Sequence, residues 1–269
     1  MRKLRHLDLF SGIGGFALGL ERTGGFETVA FCEIEPYCQA VLKKHWPNVP
    51  IFPDIRKLTA DAVGPMDIIT GGFPCQDISV AGKRKGINAE RSGLWSELCR
   101  LIGELRPKFA IVENVPNLLA GPTEKPGGWF GRVLGDLAEI GFDAEWHCIP
   151  ASVVGIPQHR NRVWLIAHTP QPSGEAILHS FSLHAICNQT WMDDISSRQT
   201  NANHKNCRSG AMSILGHGIW AAIPNRERSG TNGRLSDGLD RYRALGNAVV
   251  PQIPEIIAKA ILEAEGWKP

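Results

Sequence analysis

Short apolar segments alternate with helix-like segments over the first 167 residues of the chain. Apolar runs bounded by turn residues predict strands, and the spacing of apolar residues between these runs predicts helices of about ten residues. This alternation is typical of βαβ units, so we expect a doubly wound, mostly parallel sheet with helices on both faces. The predicted strands cover residues 4–10, 27–33, 67–70, 109–113, 143–149 and 162–167, with a short one near Ile51. Helices are predicted over 16–22 and 37–45.

The pattern changes after His168. Residues 168–240 are rich in Ser, Asn, Gly and His and show little periodicity. A stretch of this length without regular structure is usually functional or disordered when it interrupts a compact fold. Helical periodicity returns over 252–265. We therefore divide the chain into a first unit, 1–167, a small irregular unit, 168–240, and a C-terminal segment, 241–269, that returns to the first unit.

Composition excludes several classes of protein. Hydrophobic residues make up 43% of the chain, which is ordinary for a globular protein, and no apolar run reaches the length of about 18 residues that a membrane span needs. Seven cysteines without a CxxC pair argue against a disulfide framework and a zinc site, and they favour a reducing compartment such as the cytoplasm. The net charge is +2, so any nucleic-acid footprint has to be local.

Cys75 follows the predicted strand 67–70 on a loop that contains two glycines and Pro74. Glycines let a ligand approach the backbone closely, and proline stiffens the turn beside the thiol. A cysteine displayed in this way is a candidate nucleophile. The alternative is a small buried residue at the end of a strand.

A glycine turn joins the first predicted strand to the first helix. It contains Gly12, Gly14 and Gly15 and lacks the full GxGxxG pattern, so a nicotinamide cofactor is not favoured. Glu33 and Asp54 follow the next two strands. An acidic residue at such a place can accept hydrogen bonds from ribose hydroxyls or an adenine amino group. The pattern indicates an adenosyl ligand at the carboxyl edge of the sheet; the alternative is a tight strand–helix turn.

Three charged features lie near strand ends or beside Cys75. Glu113 ends the apolar strand 109–113, where burial would raise its pKa enough to donate a proton; the alternative is a surface carboxylate. Arg160 and Arg162 precede the last strand and suit a phosphate or a polar ring edge; the alternative is a solvated edge strand. A basic loop after Cys75 would suit a polyanion, although charge runs are often plain surface. Its cations are Lys83, Arg84, Lys85 and Arg91.

Taken in order, these motifs resemble those of the bacterial and prophage DNA (cytosine-5)-methyltransferase family. The matching segments are 8–15, 74–76, 113–115, 158–162 and 246–251, together with the acidic residues at 33 and 54. The resemblance covers residues 1–167 and 241–262. It implies a Rossmann-like S-adenosylmethionine-dependent methyltransferase fold, in which residues 168–240 form a small target-recognition region.

The resemblance also implies roles for individual residues. The expected catalytic residues are Cys75, Glu113, Arg160 and Arg162. The expected S-adenosylmethionine contacts are Phe10, Gly12, Gly14, Gly15, Glu33, Ile34, Asp54, Ile55, Pro74 and Asn247. The expected DNA contacts are Gln76, Lys83, Arg84, Lys85, Arg91 and Gln158. No metal site is implied.

In this family a thiolate adds to C6 of a cytosine that has been flipped out of duplex DNA, and C5 then accepts the methyl group. Glu113 would contact N3 and the amino group, Arg160 the base or its flanking phosphate, and Arg162 either Glu113 or the catalytic loop. The chain departs from some members at Ile34, where they carry an aromatic residue, and in the short recognition region. We expect a cytoplasmic monomer on double-stranded DNA, with a cognate restriction endonuclease as a candidate partner.

Three alternatives stay open from the sequence. The same motifs suit an RNA cytosine methyltransferase. A catalytically impaired DNA-binding relative would keep the fold but has no need of the Cys75 thiol. A nicotinamide oxidoreductase is the most distant alternative.

Overall fold

A computed structural model describes residues 1–74, 93–120, 128–156, 160–170 and 234–267. These residues build one seven-stranded sheet in the order β3-β2-β1-β4-β5-β7-β6. The strands are β1 (Leu4–Leu9), β2 (Phe26–Cys32), β3 (Ile51–Phe52), β4 (Ile68–Gly71), β5 (Phe109–Asn114), β6 (Asp143–Pro150) and β7 (Asn161–His168). Strands β1 to β5 run parallel, and β7 pairs antiparallel with both β5 and β6. The predicted mostly parallel sheet is confirmed.

Seven α-helices occur in the described parts of the chain. They are α1 (Gly15–Glu21), α2 (Pro36–His45), α3 (Ala60–Val63), α4 (Leu94–Leu105), α5 (Gly128–Glu139), α6 (Arg234–Asn247) and α7 (Gln252–Ala264). Short 3-10 turns span Ile55–Lys57, Pro116–Ala120 and Ala151–Val154. None of the helices in these parts is long and apolar enough to cross a membrane.

Two hydrophobic clusters cover the sheet. The larger joins the sheet to α4 and α5 through residues such as Leu98 and Leu137. The second joins Leu4 of β1 and Phe16 of α1 to Ile257 of α7. Helix α7 therefore packs in one cluster with β1 and α1, as expected for a C-terminal segment that returns to the first unit.

Helices α1 and α7 approach each other closely because α1 contains glycine. A Cβ atom added at Gly19 would lie 2.4 Å from the Pro251 carbonyl oxygen, so no larger residue fits there without a shift. This contact brings the C-terminal segment back onto the first unit. Helix α6 runs across residue 240, and the division of the chain into units stays a prediction.

The carboxyl ends of the parallel strands meet at one edge of the sheet. Strand β7 runs in the opposite direction and therefore begins at this edge, where Val163 pairs with Asn114 of β5. This topology places Arg160 and Arg162 next to Glu113. Strand β6 covers the outer side of β7, so the alternative of a solvated edge strand for these arginines is wrong.

Candidate active site

The turn between β1 and α1 has the backbone of a ligand cradle. Phe10, Gly12 and Gly14 all have positive φ angles, of 52°, 54° and 85°. A Cβ atom built on Gly12 would meet no other atom within 4 Å among the described residues, so the space in front of this glycine is open. The Gly12 amide donates a hydrogen bond of 2.6 Å to Oε2 of Glu33. The glycine turn and the end of β2 are thus directly linked.

The other two glycines of the turn have packing partners of their own. A Cβ atom on Gly14 would lie 2.6 Å from the Trp46 ring, and one on Gly15 would lie 2.5 Å from the Val249 carbonyl oxygen. Trp46 is fixed by a 2.9 Å hydrogen bond from Nε1 to Glu21. Close packing therefore already explains these two glycines, and a cofactor contact for them stays a prediction.

Glu33 is a buried carboxylate at the end of β2, with 7% of its surface exposed. Besides the Gly12 bond, its Oε1 atom accepts a 2.8 Å hydrogen bond from the Glu35 amide. Burial raises the pKa of Glu33, and these backbone amides oppose the rise. Its two oxygens are held at the mouth of the turn, where each has a further lone pair for a hydroxyl group.

Asp54 and Ile55 begin the 3-10 turn after β3. Asp54 caps this turn, since its Oδ1 atom accepts a 3.0 Å hydrogen bond from the Arg56 amide. Ile55 is 3% exposed and packs in the larger cluster, whereas Ile34, which follows the neighbouring strand β2, is 62% exposed. An apolar side chain this exposed beside a polar cradle is available to cover a flat ring. Open space at Gly12 and acceptors at Glu33 and Asp54 together fit an adenosyl group.

Glu113 forms the second centre of the site. It is buried, with 8% of its surface exposed, and its Oε1 atom lies 2.9 Å from Nε of Arg162. Burial raises the pKa of Glu113, and the positive charges of Arg162 and Arg160 oppose the rise. The alternative of a surface carboxylate is therefore wrong, and the catalytic role of Glu113 stays a prediction. Of the two roles foreseen for Arg162, the structure shows the contact with Glu113.

Asn114 holds the start of the loop that leads to Cys75. Its Nδ2 atom donates a 3.2 Å hydrogen bond to the Phe73 carbonyl, and its Oδ1 atom accepts a 2.8 Å bond from the Val115 amide. Asn114 is buried, with 3% of its surface exposed. One carboxamide thus links the end of β5 to the backbone two residues before Cys75. Pro74 is half-buried and is the last described residue before that cysteine.

Arg160 contacts the C-terminal segment. Its guanidinium donates hydrogen bonds to the carbonyl oxygens of Gly246 and Ala248, the latter at 3.1 Å. Ala248 packs against Ile13 of the glycine turn. Burial lowers the pKa of Arg160, and the neighbouring charge of Arg162 lowers it further. Arg160 therefore ties the end of α6 to the cradle, and its contact with a base or phosphate stays a prediction.

Several expected site residues lie outside the described residues. These are Cys75, Gln76, Lys83, Arg84, Lys85, Arg91 and Gln158. Asn247 is described and exposed, and it ends α6 directly beside the carbonyl groups that Arg160 binds.

Sequence reasoning assigned no role to two residues that arrange the site. Asn114 directly follows Glu113 at a strand end, and that position was a usable signal. Arg100 of α4 donates hydrogen bonds to the Ile55 and Leu58 carbonyls, 45 and 42 residues away. No local sequence pattern predicts a contact between residues that far apart in the chain.

Comparison with known proteins agrees with this geometry. The family model described as C-5 cytosine-specific DNA methylase matches residues 4–217. Type II methyltransferase M2.BsuMI of Bacillus subtilis is 39% identical over 168 residues, which cover 61% of this chain and 42% of the relative. Type II methyltransferase M.NlaIV of Neisseria lactamica is 33% identical over 200 residues, covering 67% and 47%.

A solved structure described as a DNA modification methyltransferase encoded within an E. coli prophage superposes with a TM-score of 0.53. It is 29% identical in sequence, and the match covers 62% of this chain and 47% of that one. The present chain thus spans less than half the length of these relatives. Because the family model matches most of the sequence, the chain belongs to the C-5 cytosine-specific DNA methylase family.

Proposed function

We propose that this chain is a DNA (cytosine-5)-methyltransferase that uses S-adenosylmethionine and forms a covalent bond between Cys75 and C6 of the target cytosine. The observation that carries the proposal is the pairing of buried Glu113 with Arg162, beside a loop that Asn114 ties down two residues before Cys75. A carboxyl group and a cation thereby meet at the edge of the sheet, beside the described residues that lead to the candidate nucleophile in the sequence.

The cradle at Gly12 supports S-adenosylmethionine as the methyl donor. Glu33 would accept bonds from the ribose hydroxyls, Asp54 would face the adenine amino group, and Ile34 and Phe10 would pack against the ring. When bound, this cofactor supplies an electrophilic methyl group on a sulfonium sulfur. Burial of the strand ends keeps water from competing for the acceptor oxygens.

Glu113 and Cys75 divide the chemistry on the base. The Cys75 thiolate forms a bond to C6, the electron pair of the C5–C6 double bond shifts to the C4–C5 bond, and the C4–N3 pair moves onto N3, which gives an enamine with a nucleophilic C5. Glu113 holds a proton at N3 and so stabilises the charge that develops there. C5 forms a bond to the methyl group as the bond from methyl to sulfur breaks, which would leave S-adenosylhomocysteine. A base then takes the C5 proton, the C5–H electron pair forms the C5–C6 double bond again, and the Cys75 thiolate leaves. Arg162 keeps Glu113 in place and limits the rise of its pKa.

The substrate proposed is duplex DNA with the target cytosine flipped out of the helix. Flipping costs a few kcal/mol, and contacts to the opened strand have to offset that cost. The basic residues after Cys75 and Gln158 are proposed for these contacts, and residues 168–240 for selection of the target sequence. A monomer with a cognate restriction endonuclease is the proposed biological setting.

Bisulfite sequencing of a plasmid from cells that express the chain tests the activity. The proposal predicts protected cytosines in the wild type and none with Cys75→Ser. Protection in one sequence context would also identify the target. No protection of DNA, together with methyl transfer from S-adenosylmethionine to tRNA, would replace DNA by RNA as the substrate. Equal protection with Cys75→Ser would refute the covalent mechanism.

A further inference from the structure

Arg100 lies near the middle of α4 and reaches across to the turn that follows β3. Its Nη2 atom donates hydrogen bonds to the carbonyl oxygens of Ile55, at 3.2 Å, and Leu58, at 2.9 Å. Ile55 is the first residue of the short 3-10 turn that Asp54 caps, and Leu58 is the residue that directly follows this turn. One guanidinium on a helix of the core therefore holds the backbone of the segment that carries Asp54.

The turn needs a donor at this place. A 3-10 turn of three residues leaves carbonyl groups without partners inside the turn. The side chains of Ile55 and Leu58 are buried, at 3% and 2% exposure, so their carbonyls are close to the protein interior. Leaving such an acceptor without a partner is unfavourable. Arg100 donates a hydrogen bond to the carbonyl oxygen of Leu58. It donates a second one to the carbonyl oxygen of Ile55, which already accepts a hydrogen bond from the Leu58 amide.

The guanidinium is itself held in one orientation by its own helix. Its Nε atom donates to Glu97 at 2.9 Å, and its Nη1 atom donates to Glu104 at 3.0 Å. Two carboxylates one turn away on either side thus aim the remaining nitrogen at the two carbonyls. Lysine has one ammonium group on a flexible stem and cannot reproduce this planar set of donors.

The remaining polar contacts of Asp54 are local to the turn. Its Oδ1 atom accepts from the Arg56 amide at 3.0 Å and lies 3.4 Å from the Arg56 Nε atom. Both partners move with Asp54 if the whole turn shifts. The start of the turn is held through β3, where the Phe52 carbonyl accepts a 2.9 Å bond from the Glu33 amide. The remainder of the turn is held by the buried side chains of Ile55 and Leu58 and by the Arg100 bonds.

From this geometry we infer that Arg100 is a positioning residue for the cofactor, and that it sets affinity by fixing the adenine side of the site. The inference rests on the proposed use of S-adenosylmethionine at Asp54 and Ile55. Arg100 touches neither the ligand nor the reacting atoms. Its loss affects binding of the adenosine portion and leaves the methyl-transfer step of the bound complex unchanged.

The test compares Arg100→Met, Arg100→Lys and Glu104→Gln by calorimetric binding of S-adenosylhomocysteine. Methionine keeps the length of the side chain and its packing but removes the donors. We expect Arg100→Met to weaken binding about tenfold, which corresponds to about 1.4 kcal/mol, and Arg100→Lys to fall between it and the wild type. Glu104→Gln removes an ion pair but keeps the carbonyl bonds, so its affinity should stay within about twofold of the wild type.

Kinetics separate positioning from general damage to the fold. The KM for S-adenosylmethionine of Arg100→Met should rise by the factor seen in binding, while kcat stays within about twofold. Adenosine alone should lose the same factor as S-adenosylhomocysteine, because the disturbed contacts lie at the adenine end. A matched control is Arg132→Met, which removes a helix-surface ion pair with Asp136 in α5. It should leave every one of these values unchanged.

The outcomes distinguish this inference from the proposed function. Wild-type protein that binds no S-adenosylhomocysteine would overturn the proposed cofactor itself. Wild-type binding with unchanged affinity in Arg100→Met would overturn the role of Arg100 alone. A fall in kcat without a change in KM would do the same.

Discussion

The ion pair between Arg162 and Glu113 allows a quantitative prediction. The two side chains are 22% and 11% exposed, and their charged atoms are 2.9 Å apart. Replacing Arg162 with Met removes the cation and leaves Glu113 buried. An opposite charge at this distance lowers a carboxyl pKa because it favours the charged form. We therefore expect the pKa of Glu113, already raised by burial, to rise further when Arg162 is replaced.

This change makes the cost of the substitution depend on pH. The unfolded chain loses the Glu113 proton near pH 4.5, whereas the folded chain keeps it to higher pH because its pKa is raised. The contribution of Glu113 to the free energy of unfolding is therefore fully present at low pH, and it is lost as the pH rises from about 4.5 through the pKa of Glu113 in the folded protein. In Arg162→Met this loss continues to higher pH than in the wild type. Removing one partner of a buried ion pair typically costs about 3 to 5 kcal/mol, so the variant should show a loss of that order at pH 8 and a smaller one near pH 4.5, where protonation removes the charge of Glu113.

Chemical denaturation at pH 5 and pH 8 measures the difference. The comparison is repeated with Glu113→Gln in both proteins, since this background has no carboxyl group to titrate. In the Glu113→Gln background, Arg162→Met should lower the free energy of unfolding by the same amount at both pH values. A penalty in the original background that is equal at pH 5 and pH 8 would refute the electrostatic account.

Three further predictions concern other contacts. Asn114→Ala removes the bond to the Phe73 carbonyl, so methyl transfer should fall at least about tenfold while S-adenosylhomocysteine affinity changes less than about twofold. Gly15→Ala places a Cβ atom 2.5 Å from the Val249 carbonyl oxygen, and denaturation should show a loss of about 1 to 3 kcal/mol. Burial lowers the pKa of His6 to about 3, so below pH 6.5 the unfolded chain binds a proton at His6 that the folded chain does not bind. The free energy of unfolding should therefore fall by about 1.4 kcal/mol for each pH unit below 6.5, relative to His6→Gln.

Each of these has a matched control. Asn114→Asp keeps the acceptor for the Val115 amide but loses the donor, so its methyl transfer should be as slow as that of Asn114→Ala; full activity would contradict the role of the donor. Gly103→Ala places a Cβ atom at an ordinary 3.5 Å from Ile140 and should not destabilise. A constant stability difference between wild type and His6→Gln from pH 7 to pH 5 would contradict the burial of a neutral His6.

Much of the fold was predictable because its signals are local. Apolar runs and turn residues identified each strand of the sheet, and the strand-end rule predicted that the glycine turn, Glu33 and Asp54 would share an edge. Helices α4 and α5 were not predicted. In α4 the helical spacing of Leu98, Leu101 and Ile102 was a usable signal. In α5 the helical pattern is weak because the helix contains three glycines.

The contacts that arrange the site depend on tertiary structure. Arg160 binds carbonyls 86 and 88 residues away, and Arg100 binds carbonyls more than 40 residues away. Backbone acceptors leave no trace in the sequence, so such partners emerge only once the sheet order is known. The interior position of β7 was left open for the same reason, since pairing with β6 is not visible in the arginine motif itself.

The most direct test of the central claim is covalent trapping on DNA in which 5-fluorocytosine replaces cytosine. Fluorine at C5 cannot be removed as a proton, so the Cys75–C6 bond persists after methyl transfer. Mass spectrometry of the digested protein should find the methylated, fluorinated base attached to the Cys75 peptide, and only when S-adenosylmethionine is present. Methylation of ordinary DNA without this adduct, or an adduct on another cysteine such as the exposed Cys148, would contradict the account.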